Sequence, residues 1–175
     1  MVSETSKILS KEHENILKVV DALESEIGKL ENKSINVNFF EKVIDFIRNY
    51  ADKFHHAKEE DILFKEFDKC AKEGHVHCNP LEQMLLEHDE GRKNLGTMEL
   101  GLNEGDKDKI IEGARGYITL IREHIFKEDN ILYPMADEAL NYEIQKDMLE
   151  KFKKINVAKK KEIEAFEKFI EEVAK

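Results

Sequence analysis

Phe54-His55-His56-Ala57-Lys58-Glu59-Glu60-Asp61-Ile62-Leu63 and Glu123-His124-Ile125-Phe126-Lys127-Glu128-Asp129-Asn130-Ile131-Leu132 are one ten-residue pattern written twice. In register they repeat His, Lys, Glu, Ile and Leu at the same offsets, and with them a His-x-x-x-Glu spacing. Residues four apart on a helix lie one turn apart on one face, so each copy aims an imidazole and a carboxylate at one point. That pair is suited to a metal ion. His55 aligns with His124 and His56 with Ile125, so the register selects His55 as the ligand candidate.

A lone histidine in a similar setting precedes each copy, Glu12-His13 in the first half and Glu87-His88 in the second. The full order is His13, His55, Glu59, then His88, His124, Glu128. Two helical hairpins related by a pseudo-twofold axis bring these four imidazoles and two carboxylates into one bundle core. Such a set suits two iron ions bridged by the carboxylates, although manganese or zinc could enter the same donors.

Apolar periodicity puts all six on inward faces. The first helix, expected to start near Ser10, carries His13, Ile16, Leu17, Val20, Leu23, Ile27 and Leu30 on one stripe. After a turn at 32–38, Phe40, Ile44, Ile47, Ala51, His55, Glu59 and Ile62 keep one face of a long second helix. Gly74 to Asn79 reads as a loop, and Asn79-Pro80 as the start of a third helix bearing Leu81, Met84, His88, Leu95 and Met98. Beyond the break at 103–106, Ile110, Tyr117, Leu120, His124, Glu128 and Ile131 define a fourth helix ending near Pro134. Buried together without compensation these ionisable groups would cost several kcal/mol each, a penalty that metal ions remove.

The expected architecture is all-α, an up-down-up-down four-helix bundle over residues 1–138 with a C-terminal helical extension over 139–175. That extension carries Met148, Phe152, Ile155, Ile163, Phe166, Phe169 and Ile170 but no histidine, and is expected to pack across the bundle or to mediate a homodimer. Charged residues are 38% of the chain with a net charge of −10 and two prolines, the composition of solvated helix faces. The acidic balance argues against nucleic acid and anionic membrane surfaces. No apolar run approaches a membrane span, no signal-peptide core is present, and two cysteines make no disulfide framework, so a cytoplasmic location is expected.

This histidine-carboxylate order, over about residues 8 to 136, resembles the hemerythrin-like family of four-helix di-iron proteins. The resemblance implies one iron held by His13 and His55, the other by His88 and His124, with Glu59 and Glu128 bridging beside an oxo or hydroxo group. Oxygen-carrying members have a fifth histidine four residues from the third-helix ligand and a longer histidine-to-aspartate spacing on the last helix. Here Met84 and Arg92 flank His88 at that distance, and Glu128 keeps the shorter spacing. The chain is therefore more similar to branches with four histidines and two glutamates. Those include iron-sulfur-cluster repair proteins that handle nitric oxide, mycobacterial proteins acting on peroxide or nitric oxide, and an iron- and oxygen-sensing ubiquitin-ligase subunit. The implied partner is a small diatomic or peroxide ligand. The alternatives are an iron or redox sensor without turnover, and a plain helical bundle for protein association. The Glu-x-x-His pattern of ferritin-like sites is absent.

Other residues have weaker claims. Arg92, one turn past His88, is expected to be solvated or salt-bridged rather than to steer an anion. Tyr117 is expected to be a core residue rather than a donor to the site, and Tyr50 and Tyr133 amphipathic rings near the bundle surface. His56 and Glu60 repeat the ligand spacing one residue on, about 100° around the helix, and are expected to be a solvated pair. Cys70, His75, His77 and Cys78 could bind zinc or copper, but the spacing favours a capping loop.

Overall fold

The computed structural model describes residues 2–74, 76 and 78–174, and among them there is no strand. Helix α1 spans Glu4–Ile27 and α2 spans 37–72. Helices α3, Leu81–Glu104, and α4, 107–139, complete the bundle. Two further helices follow, α5 at Tyr142–Ala158 and α6 at Lys160–Val173.

Helix α1 starts earlier than the expected Ser10, because Ser3 caps it by accepting from the Ser6 amide and its own amide donates to Asp137 at 2.9 Å. Asn36 caps α2 and Asp106 caps α4 in the same way. Gly105 ends α3 at φ 68°, a left-handed conformation that costs a glycine nothing. Helix α4 runs past Pro134 to Ala139, beyond the expected stop. A π-helical turn over Glu128–Leu132 ends one residue before the proline, which therefore sits in the first turn of the α-helical stretch that follows, where its missing N–H is tolerated.

Neighbouring helices run antiparallel. Ser6 and Ser10 at the start of α1 bond Asp137 and Asp129 at the end of α4, whereas Lys107 at the start of α4 reaches the Leu30 carbonyl beyond the end of α1. Packing of α1 on α2 and α4, and of α3 on the same two, makes a four-helix ring. Close contact of α3 with α4 depends on glycine. A Cβ on Gly113 would lie 2.4 Å from the Met98 amide nitrogen.

Two apolar clusters fill the bundle. One holds Ile16, Phe54, Leu95 and Ile121, the other Leu9, Ile62, Met84 and Leu132. On each helix the predicted ligands fall between the two, so the site occupies a polar layer closed above and below by hydrocarbon. Helix α6 seats Phe166 and Phe169 against Phe46, while α5 buries Met148 and Phe152 near α1 and the end of α2. No helix among the described residues is long and apolar enough to cross a membrane.

Candidate metal centre

The six predicted ligands converge. His13, His55, Glu59, His88, His124 and Glu128 are each at most 2% exposed, and their donor atoms fall into two groups that share Glu59. His13, His55, Glu59 and Glu128 form one group, and His56, Glu59, His88 and His124 the other, with the donor atoms of each within 4.8 Å of one another. Glu128 reaches both halves: one oxygen lies 3.2 Å from His124 Nε2 and the other 3.2 Å from His13 Nε2. Glu59 Oε2 lies 3.7 Å from His55 Nε2 and 3.6 Å from His88 Nε2. Both carboxylates therefore stand between the halves.

His56 corrects the reading of α2 as a uniform α-helix. It is 6% exposed and stacks on His88 with ring centroids 3.8 Å apart, rather than facing solvent. The cause is local backbone geometry. Helix α2 is π-helical over Ile47–His56 and again over Glu59–Leu63, and each i→i+5 turn takes in one residue more than an α turn, so two consecutive histidines turn inward. The matching π turn in α4 leaves the expected core residue Ile131 at 48% exposure and buries Leu132 at 1%. Three imidazoles thus occupy one half and two the other, because the counterpart of His56 is Ile125.

Around the imidazoles lies a layer of carboxylates repeated in both halves. Nδ1 of His55 meets Glu12 at 3.0 Å and Nδ1 of His124 meets Glu87 at 2.8 Å. Nδ1 of His88 meets Glu60 at 2.7 Å and Nδ1 of His13 meets Asp129 at 3.0 Å. An ionised carboxylate can only accept, so each Nδ1 carries the proton and each Nε2 is left to face the centre. The repeated Glu-His pairs at 12–13 and 87–88 acquire a purpose from this: each histidine turns into the site while the glutamate before it holds an imidazole on the next helix. Glu60 is accordingly no solvated partner of His56. Arg92 is salt-bridged as expected, to Asp52 at 2.8 Å, Glu60 at 2.6 Å and Asp89 at 2.9 Å.

Tyr133 is a second correction. At 2% exposure it stacks on His13 at 5.5 Å, and its hydroxyl donates to Glu59 at 2.5 Å. The π turn before it again rotates the residue inward. Phe64 takes the equivalent place over His88 in the other half. Tyr50 is also buried, bonded to Asn15 at 3.0 Å. Tyr117 is a core residue at 1% exposure. It lines a small cavity beside His56, His88 and His124 with Gly91, Leu95 and Ile121, room for about one water-sized molecule. Cys70 is buried and Cys78 exposed, both as free thiols, while His75 and His77 of that group lie outside the described residues.

Several buried donor atoms have no hydrogen-bond partner among the described residues: His55 Nε2, both nitrogens of His56, Glu59 Oε2 and both oxygens of Glu128. Orphaned polar atoms cost about 1–3 kcal/mol each unless something answers them. His88 Nε2 and His124 Nε2 stand 2.9 Å apart. Two ligands on one ion, each about 2 Å from it, lie about 3 Å apart. The residues fit a pair of metal ions, and imidazole with carboxylate suits iron, manganese or zinc.

With no ion bound, protons take up the same positions. Burial lowers the His13 and His124 imidazoles, but for His13 the bond to Asp129 and the Glu128 charge, and for His124 the Glu128 charge and the bond to Glu87, outweigh it. They are raised to about 9 and about 10. Burial and the neighbouring imidazole charges lower His56 to about 3 and push His55 well below its ordinary value. Burial and the Glu128 charge raise Glu59, whereas the His124 and His13 charges overcome burial and hold Glu128 down.

Residues 5–136 match the family described as the Hemerythrin HHE cation binding domain. No curated protein and no solved structure matches the chain. The match spans all four bundle helices and every donor just described, and the chain belongs to the hemerythrin HHE cation-binding family.

Proposed function

We propose that this protein is a non-heme di-iron protein that binds or reduces a small oxidant, namely oxygen, nitric oxide or peroxide. The observation that carries the reading is the pair of buried donor groups sharing Glu59, with unpartnered donor atoms in both. When bound, iron supplies electrons and open coordination positions for such ligands. The chain supplies the rest. Carboxylates on Nδ1 of His13, His55, His88 and His124 fix the imidazole orientations, hydrocarbon clusters exclude bulk water, and Tyr133 holds a proton against Glu59. The cavity beside His56 admits only a molecule of a few atoms.

Metal analysis of anaerobically purified protein tests this, followed by visible spectra on addition of oxygen, nitric oxide or peroxide. Two irons per chain and a spectral change with one of the three are expected. Protein that takes up no iron, or whose diferrous spectrum ignores all three, would end this reading.

A second reading, an iron or redox sensor without turnover, is favoured by the same orphaned atoms, because a core emptied of metal loses their only partners. Limited proteolysis separates the two. Sensing requires chelator-stripped protein to be cut at sites the loaded protein protects, and equal digestion of both forms excludes it.

A further inference from the structure

The two halves of the centre carry the same lysine. Lys58 and Lys127 stand one residue before Glu59 and Glu128, and each donates to the carboxylate that holds an imidazole: Lys58 to Glu12 beside His55, Lys127 to Glu87 beside His124. Their surroundings differ. Lys58 is 0% exposed while the side chain of Lys127 is 32% exposed.

Helix α5 makes that difference. Its Phe152, itself fully buried, lies 5.6 Å from the Lys58 ammonium, which also sits 3.6 Å from the Phe54 ring. Lys159, just after α5, donates to the Lys53 carbonyl and pins the C-terminal helices to α2. This C-terminal region lies outside the stretch that matches the family.

Replacements for the two lysines also differ. Glu87 accepts a third bond, from Gln83 at 2.6 Å, and water reaches Lys127. Glu12 accepts only from His55 and Lys58 among the described residues. Charges shielded from water act on one another several-fold more strongly than exposed ones, so the Glu12–Lys58 pair is rigid where Glu87–Lys127 is adaptable.

We propose that Lys58 is a positioning residue for the His13/His55 half of the centre, and that α5, by keeping water from it, makes the two metal positions unequal in affinity. The lysine holds Glu12, Glu12 holds His55 Nδ1, and the unpartnered His55 Nε2 stays aimed at the centre. This rests on the two-ion reading above.

Titration of cobalt(II) into chelator-stripped full-length protein, followed by ligand-field absorption and chelator competition, tests it with K58M, K127M and F152A. Wild type is expected to take two cobalt ions of different affinity; fewer than two would overturn the two-ion reading itself. With two bound, K58M is expected to weaken one ion by about 10–100-fold and to change that ion's bands, the size of effect an outer-layer partner has on metal affinity. K127M, at a solvent-exposed pair, is expected to change affinity by no more than about fivefold. F152A, which admits water to Lys58, is expected to weaken the same ion as K58M. Should K58M lose its helical circular dichroism, F152A carries the test alone. Equal effects of K58M and K127M, or an F152A protein with both cobalt affinities unchanged, overturn the proposal.

Discussion

His56 shows how a single side chain divides a near-symmetric centre. Every other donor has a counterpart in the opposite half, but the counterpart of His56 is Ile125, a buried hydrocarbon. The H56I variant therefore copies a residue the bundle already accommodates at the equivalent place and should keep the fold. It is expected to weaken one of two bound ions by at least about 10-fold, the lower end of what even an outer-layer contact contributes. Chelator competition measures this, and two ions held as tightly as in the native protein would remove His56 from the ligand set. Protonation offers a second test. His13 and His124, raised to about 9 and about 10, add stability to the metal-free protein that is complete below the unfolded value near 6.5 and lost as pH rises through 9 to 10. His55 and His56 are depressed, so below 6.5 the unfolded chain binds protons that the folded one refuses. The melting temperature of chelator-stripped protein should thus fall from pH 6.5 to 10, while on the acid side the raised Glu59 offsets part of the loss from the two depressed histidines. A melting temperature still climbing from pH 7 to 9 would contradict this balance.

Among the elements, the π turns of α2 and α4 decide which residues face the centre, and the α3–α4 contact decides how close the helices come. Gly113 meets the backbone of Met98 and Asn94 at distances no side chain tolerates. In an isolated helix Gly→Ala gains about 1 kcal/mol. Here overpacking of about 1–3 kcal/mol outweighs it, with the helices forced apart at Met98 and Asn94. G113A is expected to lower the urea midpoint at unchanged slope, and an equal or higher midpoint would show that the contact yields. Helix identity, order and approximate ends were legible because apolar residues recur at helical spacing. The exceptions were specific. Ser3 and Asp137 extend the bundle beyond both expected ends through a contact 134 residues apart in sequence, which no local signal announces.

At the scale of the molecule, the centre is a layer of ionisable side chains held between two apolar clusters, and its stability is tied to its occupants. A ligand at 100 times its Kd adds about 2.7 kcal/mol of stability. For a domain of this size that is about 5–10 °C in Tm per ion. Iron or cobalt loading of stripped protein is expected to raise Tm by at least this much, measured by calorimetry. An unchanged Tm would mean that the buried carboxylates and imidazoles are answered by protons and not by metal. The two C-terminal helices enlarge the side of the bundle formed by α1 and α2 and dry one of two otherwise matched lysines, so the molecule is less symmetric than its repeat.

What the chain alone determined was the helical class, the bundle and the six recurring donors, because repetition and periodicity are one-dimensional properties that survive without coordinates. The tertiary structure alone decided that His56 and Tyr133 turn inward, that Glu12, Glu60, Glu87 and Asp129 hold the imidazoles, and that Lys58 is dry while Lys127 is wet. The physical reason is shared by all of these. A change from α to π backbone rotates every later side chain, and contacts between helices join residues from distant parts of the sequence. Spacing read along one regular helix records neither.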